Sequence, residues 1–533
     1  MSTSQPAETL DAVIVGAGLA GLYMLHKLRA LGLSARVFEA GSGIGGTWFW
    51  NRYPGARVDI ESVQYSYAFD EKLQDEWRWS ERYATQAELL RYVDHVADRF
   101  DLRRDIVLNT RVESAHYDEA RDEYAVRTSR GDALRARFFI MAVGCLSSTN
   151  TPKFPGLESF RGAKYHTGNW PQTPPDFTGK RVAVIGTGSS AIQSIPLIAE
   201  QAAHLTVFQR TPNYSVPAHN GPMPREVEER VRANYAAFRA EAAQRGFGAD
   251  FRDNPATAFS VSDAEREAEY EARWAYGGLG FLGAYADLMF DAKANETAAE
   301  FLRSKIRSIV KDPATAELLC PKTPVGCKRL CVDTGYYATY NRPNVTLVSV
   351  KDAPIERITL NGLVTGGREY EVDCIVFATG FDAMTGSLVR VDIRGRGGRS
   401  LREKWEAGPT TYLGVATEGF PNYFMITGPG SPSVLSNMLP SIEHHVNWIA
   451  RCIDDLRKRG AKRIDARKDA EDAWVVHVNE VAHTSLYPNC NSWYLGSNVP
   501  GKPRVFMPYL GVPPYRAKCE EVRRNGYEGF AIT

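Results

Sequence analysis

At 533 residues the chain is too long for a single hydrophobic core, so two or three domains are expected. Hydrophobic residues make up 44% of it and charged residues 24%, as in ordinary globular proteins. With 64 basic and 63 acidic side chains, the protein has no net field that would draw it to nucleic acid or to an anionic membrane.

The N-terminus and the cysteines predict the compartment. The first ten residues, MSTSQPAETL, lack the positive segment and apolar run of a secretory signal. The apolar run 12–25 contains three glycines and is shorter than the roughly 20 residues that span a bilayer. The eight cysteines form no C-x-x-C pair and no metal-ligand spacing. We therefore expect a cytoplasmic protein without a metal, whose cysteines are structural thiols in a reduced compartment.

The first pattern along the chain is a strand, a glycine turn and a helix. An apolar strand at 11–15 leads into the fingerprint G-x-G-x-x-G and a helix-compatible stretch, the order that a Rossmann unit requires. The next strand, 35–39, ends in an acid that would bind both ribose hydroxyls and repel a 2′-phosphate, so the ligand is FAD or NAD. The residues of this first site are Gly16, Gly18, Gly21 and Glu39.

The run 45–59 follows this strand and is dense in aromatic residues, glycine and proline. Aromatic faces here would wall a flavin ring and exclude water, while glycine and proline fix the loop. The alternative is that Trp48 and Trp50 are core aromatics.

The same order of elements recurs at 180–210. A strand leads into Gly186-x-Gly188-x-x-Ala191, and a helix-compatible stretch and a second strand follow. Gln209 occupies the position of the acid, so no carboxylate repels a 2′-phosphate here. Arg210 follows it and supplies a guanidinium that would bind such a phosphate. The contrast with the first site assigns FAD there and NADPH here. The missing C-x-x-C argues against a disulfide reductase, another enzyme class with two such units.

Between 222 and 321 the apolar spacing predicts helices, for example 225–244 and 262–276. The fold class is therefore α/β, with two Rossmann-like dinucleotide-binding domains and a helical insertion in the NADPH domain. The predicted boundaries are 1–146 and 382–533 for the FAD domain, 147–213 and 326–381 for the NADPH domain, and 214–325 for the insertion.

Between the two fingerprints lies the pattern F-x-G-x-x-x-H-x-x-x-W-P, which resembles the fingerprint of the type I Baeyer–Villiger monooxygenases. The family's second signature, G-x-W-x-x-x-x-Y-P-G-x-x-x-D, is matched at 46–59, and the resemblance extends over essentially the whole chain. It implies an FAD- and NADPH-dependent enzyme that inserts one oxygen atom of O2 beside a ketone carbonyl, through a C4a-peroxyflavin and a Criegee intermediate, giving an ester or lactone. The residues of the first pattern are Phe160, Gly162, His166, Trp170 and Pro171.

The resemblance also implies a catalytic pair, Arg329 and Asp59. A fixed cation beside a flavin peroxide lowers the pKa of the peroxide and stabilises the oxyanion of the adduct. Without the family, Arg329 would be interpreted as a surface ion pair.

Further residues are assigned by the same resemblance. His166 and Trp170 link domain movement to catalysis, and His166 is not a general base. Trp493 belongs to a mobile loop that closes over NADP+. The FAD side includes Thr47, Trp48, Phe49, Trp50, Asp59, Tyr65, Val112 and Met438. The NADP side includes Arg57, Val58, Gly186, Thr187, Gly188, Ser189, Ser190, Ala191, Ile192, Gln193, Arg210, Thr211, Lys328 and Arg329.

The loop 428–438 looks like that of the phenylacetone and steroid monooxygenase subgroup, with Ser433, Val434 and Leu435 facing substrate. The chain departs from the family at Pro513 and Pro514, where relatives more often have a second glycine. This departure leaves the shape of the pocket open.

Two alternatives remain at this stage: a heteroatom monooxygenase acting on amines or sulfides, and a noncatalytic NADPH-sensing protein. The expected partners are a ketone and O2, with no nucleic acid and no membrane. The oligomeric state is undetermined and a monomer is compatible with the sequence.

Overall fold

The structure is a computed structural model that describes residues 8–504, 507 and 511–533. Two sequence-based expectations rest partly on residues outside this description. The absence of a secretory signal rests partly on residues 1–7, and the departure from the family at Pro513 and Pro514 is preceded by Tyr509 and Leu510. Within the described ranges, no helix combines the length and the apolar character that crossing a bilayer requires.

The strands are β1 (Glu8–Val15), β2 (Ala35–Phe38), β3 (Ile106–Val107), β4 (Val112–Asp118), β5 (Glu123–Thr128), β6 (Ala133–Met141), β7 (Ala163–His166), β8 (Arg181–Ile185), β9 (His204–Gln209), β10 (Ser215–Pro217), β11 (Cys331–Asp333), β12 (Val345–Ser349), β13 (Ile355–Ile358), β14 (Gly362–Thr365), β15 (Arg368–Glu371), β16 (Cys374–Phe377), β17 (Asp392–Arg394), β18 (Tyr423–Met425), β19 (Ile464–Ala466) and β20 (Phe530–Ile532).

The helices are α1 (Leu19–Ala30), α2 (Thr47–Trp50), α3 (Glu71–Glu76), α4 (Gln86–Arg99), α5 (Ser189–Gln201), α6 (Arg225–Ala233), α7 (Tyr235–Ala243), α8 (Asp263–Tyr276), α9 (Ala292–Ile309), α10 (Pro313–Leu319), α11 (Tyr336–Thr339), α12 (Gly386–Val389), α13 (Leu401–Lys404), α14 (Met438–Lys458), α15 (Lys468–His483) and α16 (Val512–Arg524).

The first sheet has the order β17-β4-β5-β6-β1-β2-β3, and β18 also pairs with β6. Around β1 the pairing is parallel, with β2 on one side and β6 on the other. From Ala12 to Val15, β1 is apolar and buried on both faces of the sheet. This pattern is typical of a parallel strand that helices cover, and α1 is one of these helices. Two late strands, β17 and β18, pair with the early strands β4 and β6 in this sheet.

The second sheet is parallel throughout, in the order β12-β9-β8-β16-β7. Its first strand, β8, leads through a glycine turn into α5 and then β9, which repeats the arrangement of the first sheet. An antiparallel meander, β13-β14-β15, precedes β16. Two Rossmann-like units on one chain confirm the predicted fold class.

Helices α6–α10 form the predicted insertion between β10 and β11. The stretch 225–244, predicted as helical, is broken at Asn234, which has φ −158° and ψ 78°. Its side-chain oxygen accepts the Ala237 N–H and caps α7, so the local hydrogen bond of an asparagine wins over helix continuation.

One expectation from the cysteines is wrong. The structure joins Cys327 and Cys490 in a disulfide, with their Cα atoms 5.5 Å apart and 163 positions of sequence between them. The other six cysteines are buried thiols. Spacing along the sequence could not reveal this pair, because the fold alone brings the two segments together.

Candidate functional site

The first glycine turn forms a backbone cradle at the start of α1. Gly16 has φ +101°, and a Cβ there would lie 2.8 Å from the Ala142 carbonyl oxygen at the end of β6. A Cβ on Gly21 would lie 1.9 Å from the Gly16 oxygen. Both positions therefore require glycine, and the exposed N–H groups of the helix terminus suit a pyrophosphate.

Glu39 lies next to this cradle and is buried. One carboxylate oxygen accepts the Ala17 N–H at 2.9 Å and the other accepts the Gly41 N–H at 2.7 Å. These bonds fix the carboxylate and leave further lone pairs for the two hydroxyls of a ribose. The carboxylate is thus positioned for an adenosine without a 2′-phosphate.

The second glycine turn repeats the first closely. Gly186 has φ +113°, and a Cβ there would lie 2.4 Å from the Ala378 oxygen at the end of β16. At the third position Ala191 is completely buried in the core against which α5 packs. A methyl group is accommodated here, whereas the first site requires glycine.

Basic side chains surround the ribose end of the second site. Gln209 is buried and donates its amide to the Leu318 oxygen at 2.6 Å, whereas the next residue, Arg210, is exposed. Burial lowers the pKa of Lys328, and the charge of Arg210 lowers it further. Two cations close enough to repel each other are suited to a dianionic phosphate.

A single cavity of about 420 Å³ runs between the two units. Predicted residues of both nucleotide sites line it: Gly16, Gly18, Glu39, Thr47, Trp48, Trp50, Arg57, Val58, Asp59, Tyr65, Val112, Ser189, Gln193, Arg329, Val434, Met438 and Trp493. The other predicted binding residues lie outside this lining: Gly21, Phe49, Gly186, Thr187, Gly188, Ser190, Ala191, Ile192, Arg210, Thr211, Lys328, Ser433 and Leu435.

The predicted catalytic pair meets in this cavity. Arg329 donates from Nε to one Asp59 oxygen at 2.5 Å and from Nη2 to the other at 2.9 Å, a bidentate pair across 270 positions of sequence. Its Nη1 donates to the Val434 carbonyl at 3.0 Å. Burial lowers the pKa of Arg329, but Asp59 more than compensates and the net pKa is raised. The guanidinium is therefore a permanent cation with a fixed orientation.

The pattern 160–171 lies outside the cavity lining and at the contact between the units. A Cβ on Gly162 would lie 2.4 Å from the Asp373 oxygen, so glycine is needed where β7 joins β16. The backbone N–H of Trp170 donates to the backbone carbonyl of Trp50 at 3.1 Å, which links the second unit to the aromatic run. Phe160 and Trp170 are buried in the second unit, and Pro171 follows at intermediate exposure.

His166 lies where the two connecting segments between the units cross. Its Nδ1 accepts the Gly168 N–H at 3.0 Å, and its Nε2 lies 3.4 Å from both the Asn150 oxygen and the Thr379 hydroxyl. Burial lowers its pKa. A neutral imidazole that bridges both connections agrees with a linking role and not with proton transfer in the cavity.

The loop that carries Trp493 is fastened at several points. Lys502 binds Asp382 at 2.5 Å, and the Asn498 amide donates to the Phe381 oxygen at 2.7 Å. At the other end, the disulfide from Cys490 fixes the loop to the segment just before Arg329. The loop is thus attached both to the connection between the units and to the segment that carries Arg329.

Comparison with known proteins identifies the family. Residues 13–237 match the model of the pyridine nucleotide-disulphide oxidoreductases. A phenazine N-monooxygenase from Lysobacter antibioticus is 43% identical over 98% of this chain and 97% of its own length. A Baeyer–Villiger monooxygenase from Pseudooceanicola batsensis is 43% identical over 99% of this chain and 97% of its own length.

Solved structures agree with the sequence comparison. Oxidised steroid monooxygenase bound to NADP is 54% identical and superposes with a TM-score of 0.94 over 98% of this chain and 99% of that one. A complex of the monooxygenase OTEMO with FAD and NADP is 39% identical, with a TM-score of 0.95 over 99% of this chain and all of that one. The chain belongs to the Baeyer–Villiger monooxygenases. These are flavoprotein enzymes that use FAD and NADPH to insert an oxygen atom beside a ketone carbonyl.

The residues of this Baeyer–Villiger monooxygenase fit FAD. The glycine cradle would clash with any side chain, and Glu39 presents a fixed carboxylate at the ribose position. Within the cavity lining, the rings of Trp48 and Tyr65 meet edge to face with their centroids 5.8 Å apart. An aromatic wall of this kind suits the flat ring of a flavin.

Several contacts in the site of the monooxygenase have no signature in the sequence. The Tyr53 hydroxyl donates to Gln193 at 2.8 Å, and the Gln193 amide donates to the Arg57 carbonyl at 3.1 Å, which joins the aromatic run to α5. Cys145 lines the cavity, and burial raises its pKa to about 11. Such contacts join distant segments, so neither spacing nor periodicity reports them.

Proposed function

We propose that this monooxygenase oxygenates apolar, uncharged ketones at the Arg329 end of the cavity. The observation that carries the proposal is the bidentate Arg329–Asp59 pair in a cavity that is lined by the first glycine turn and by Ser189 and Gln193 of α5. Leu146, Val434 and Trp493 supply apolar surface near it. A neutral carbonyl can enter such a pocket without the desolvation penalty that a charged group would suffer.

FAD, when bound, takes electrons from NADPH and activates O2. Arg329 then stabilises the negative charge that develops on oxygen, because its pKa is raised and the guanidinium cannot give up its proton. Asp59 holds that guanidinium through two hydrogen bonds, and the Val434 carbonyl takes a third N–H. Comparable electrostatic donors contribute roughly 3 kcal/mol to catalysis.

At the second site, Arg210 and Lys328 are assigned to the 2′-phosphate of NADPH, and the turn from Gly186 to Gln193 to its pyrophosphate. Thr187 supports this geometry, since its hydroxyl donates to the Thr211 oxygen at 3.0 Å. The repulsion between the two cations would be relieved by a phosphate, which makes the site selective for NADPH over NADH.

Domain organisation belongs to the same proposal. The FAD domain comprises 1–146 and 382–533, the NADPH domain 147–213 and 326–381, and the insertion 214–325. The strand memberships of the two sheets support these limits. Trp493 is assigned to closure over NADP+, Phe49 to the FAD side, and Ser433, Val434 and Leu435 to the substrate loop. A cytoplasmic, monomeric state stays a prediction.

A second candidate reaction is N-oxidation of an aromatic heterocycle. It is favoured by one observation, the 43% identity to the phenazine N-monooxygenase over 98% of this chain. The same cavity would serve, but a nitrogen lone pair attacks an electrophilic oxygen and needs no oxyanion stabilisation by Arg329. The two reactions therefore differ in their dependence on this arginine.

The test is NADPH oxidation by the FAD-loaded protein with a panel of small, aryl and bulky ketones beside a panel of aromatic N-heterocycles. Product mass and H2O2 are followed together. Ester or lactone one oxygen heavier than the ketone, with little H2O2, is the expected result. Oxidised heterocycles alone would establish the second candidate, and H2O2 from every compound would contradict both.

A further inference from the structure

Arg57 is held by a carboxylate that the sequence motifs do not contain. Its Nη1 lies 3.1 Å from Oε2 of Glu81, and its Nη1 also approaches the Tyr83 carbonyl at 3.4 Å. The Asn220 amide donates to the same Glu81 oxygen at 2.6 Å. Glu81 thus receives a hydrogen bond from the aromatic run and another from the segment that opens the helical insertion.

The backbone shows why these three side chains meet. Residues 80–82 pair with 221–223, through the Arg82 N–H to the Gly221 oxygen at 3.0 Å and the Met223 N–H to the Ser80 oxygen at 2.9 Å. On the other side, residues 84–86 pair with 56–58. The segment 80–86 therefore lies between the FAD loop and the insertion, and Glu81 reaches both.

This clamp uses only one nitrogen of the Arg57 guanidinium. The hydrogen bonds of the side chain to the described residues all come from Nη1, while the side chain keeps 18% of its surface exposed and lines the cavity together with Ser189 and Gln193 of α5. A guanidinium has further N–H donors, which a ligand oxygen in the cavity would satisfy. Because α5 follows the second glycine turn, we assign that oxygen to the nicotinamide nucleotide.

We propose that Glu81, assisted by Asn220, is a positioning residue that orients Arg57 so that its guanidinium binds a carbonyl or phosphate oxygen of bound NADP(H). The inference rests on the NADPH site of the proposed function and deepens it. Glu81 itself is outside the cavity lining and acts only through Arg57.

The chain offers a matched control. Glu61 pairs with Arg82 at 2.7 Å in the same segment, and Arg82 also donates to the Tyr276 carbonyl at 2.9 Å. This second Glu–Arg pair is as well formed as the first, but Arg82 is outside the cavity lining. Loss of Glu61 removes an ion pair from the same structural element without freeing Arg57.

The experiment is calorimetric titration of NADP+ into FAD-loaded wild type, Glu81→Ala, Glu81→Gln, Asn220→Ala and Glu61→Ala, with KM and kcat measured in parallel. We expect Glu81→Ala to raise the Kd for NADP+ about tenfold, the loss of one hydrogen bond to a charged group. Glu81→Gln keeps an acceptor oxygen and should recover most of this affinity. Asn220→Ala, which leaves Glu81 in place, should raise Kd by about threefold.

In turnover, the loss of affinity in the Glu81 and Asn220 variants should raise KM for NADPH much more than it lowers kcat. Glu61→Ala should have the Kd of wild type for NADP+, even if its melting temperature falls. Unchanged Kd in both Glu81→Ala and Asn220→Ala would overturn the inference, as would an equal rise in Glu61→Ala, which would show a merely structural role. Wild-type protein that fails to bind NADP+ would instead contradict the proposed function.

Discussion

The two glycine turns are nearly the same in backbone and opposite in electrostatics. In both, a glycine at positive φ packs against a carbonyl at the end of the neighbouring strand, Ala142 in one and Ala378 in the other. At the first, the buried Glu39 already accepts two N–H groups. At the second, the exposed Arg210 lies close enough to Lys328 for its charge to lower the pKa of that lysine.

The difference explains how one fold serves two roles. A site whose polar groups are fixed and enclosed retains its ligand, because little has to rearrange on binding. A site that holds two mutually repelling cations, one of them exposed, is stabilised when a phosphate binds and can release it again. We therefore interpret the first as the resident FAD site and the second as the exchange site for NADPH.

Reversing the charge at the first site should have the largest effect. Glu39→Arg removes two charge-assisted hydrogen bonds and introduces a cation, so FAD affinity should fall by at least about a hundredfold. Absorbance at flavin wavelengths per mole of desalted protein measures it. Glu39→Gln keeps an acceptor oxygen and should retain more FAD. Full FAD content in Glu39→Arg would refute the assignment of this site.

The next largest effect should come from Arg329, where the two sites meet. Arg329→Ala should lower ester formation about a hundredfold, the contribution of one such electrostatic donor. NADPH oxidation should continue and yield H2O2, because both nucleotide sites remain. Arg329→Lys retains the charge but not the bidentate fork, and should recover only part of the activity. Normal ester yield in Arg329→Ala would contradict the role of the arginine.

At the second site, Arg210→Gln should raise KM for NADPH about tenfold and leave KM for NADH unchanged, because only NADPH has the 2′-phosphate that the guanidinium binds. Steady-state kinetics with both nucleotides measures the difference. An equal rise for both would mean that Arg210 supports the fold rather than selects the nucleotide.

The lowered pKa of Lys328 predicts a pH dependence of NADPH binding. Its ammonium is needed for phosphate binding, so affinity for NADPH should be full below that pKa and fall as pH rises through it. Because the pKa is lowered, the fall begins at a lower pH than for an exposed lysine. NADH should show no such fall, and Lys328→Arg should abolish it. A pH profile shared by both nucleotides would argue against this role.

The smallest effect is expected at the disulfide. Denatured, unreduced protein should titrate six thiols, and reduced protein eight. Cys490→Ser should raise the share of NADPH lost as H2O2 only about twofold, because Lys502 and Asn498 still hold the Trp493 loop. Cys320→Ser, which alters a free thiol elsewhere, should not. Eight thiols before reduction would rule out the disulfide.

Much of this molecule could be predicted from the sequence because its signals are local. Each Rossmann unit is indicated by a strand, a glycine turn and a helix in that order. The ligand preference of each unit is indicated by the acid or base that follows the third fingerprint residue by 18 to 20 positions. The helix break at Asn234 was missed because a side-chain cap competes with a propensity that is summed over many residues. The Arg329–Asp59 pair came from the family resemblance, since two residues that lie 270 positions apart leave no local trace in the sequence.

Other features need the folded chain. Cys327 reaches Cys490, and Glu81 reaches both Arg57 and Asn220, only after the insertion has packed against the first unit. Neither pair has a characteristic spacing. The sequence thus specifies which ligands bind, and tertiary packing decides how their binding residues are held.

The most direct test of the account is turnover of a ketone under ¹⁸O2 by the FAD-loaded protein with NADPH, with mass analysis of the product. The account predicts an ester or lactone that carries one ¹⁸O atom, and loss of that product in Arg329→Ala while NADPH is still consumed. Unlabelled product, or H2O2 as the only fate of oxygen with every ketone, would contradict it.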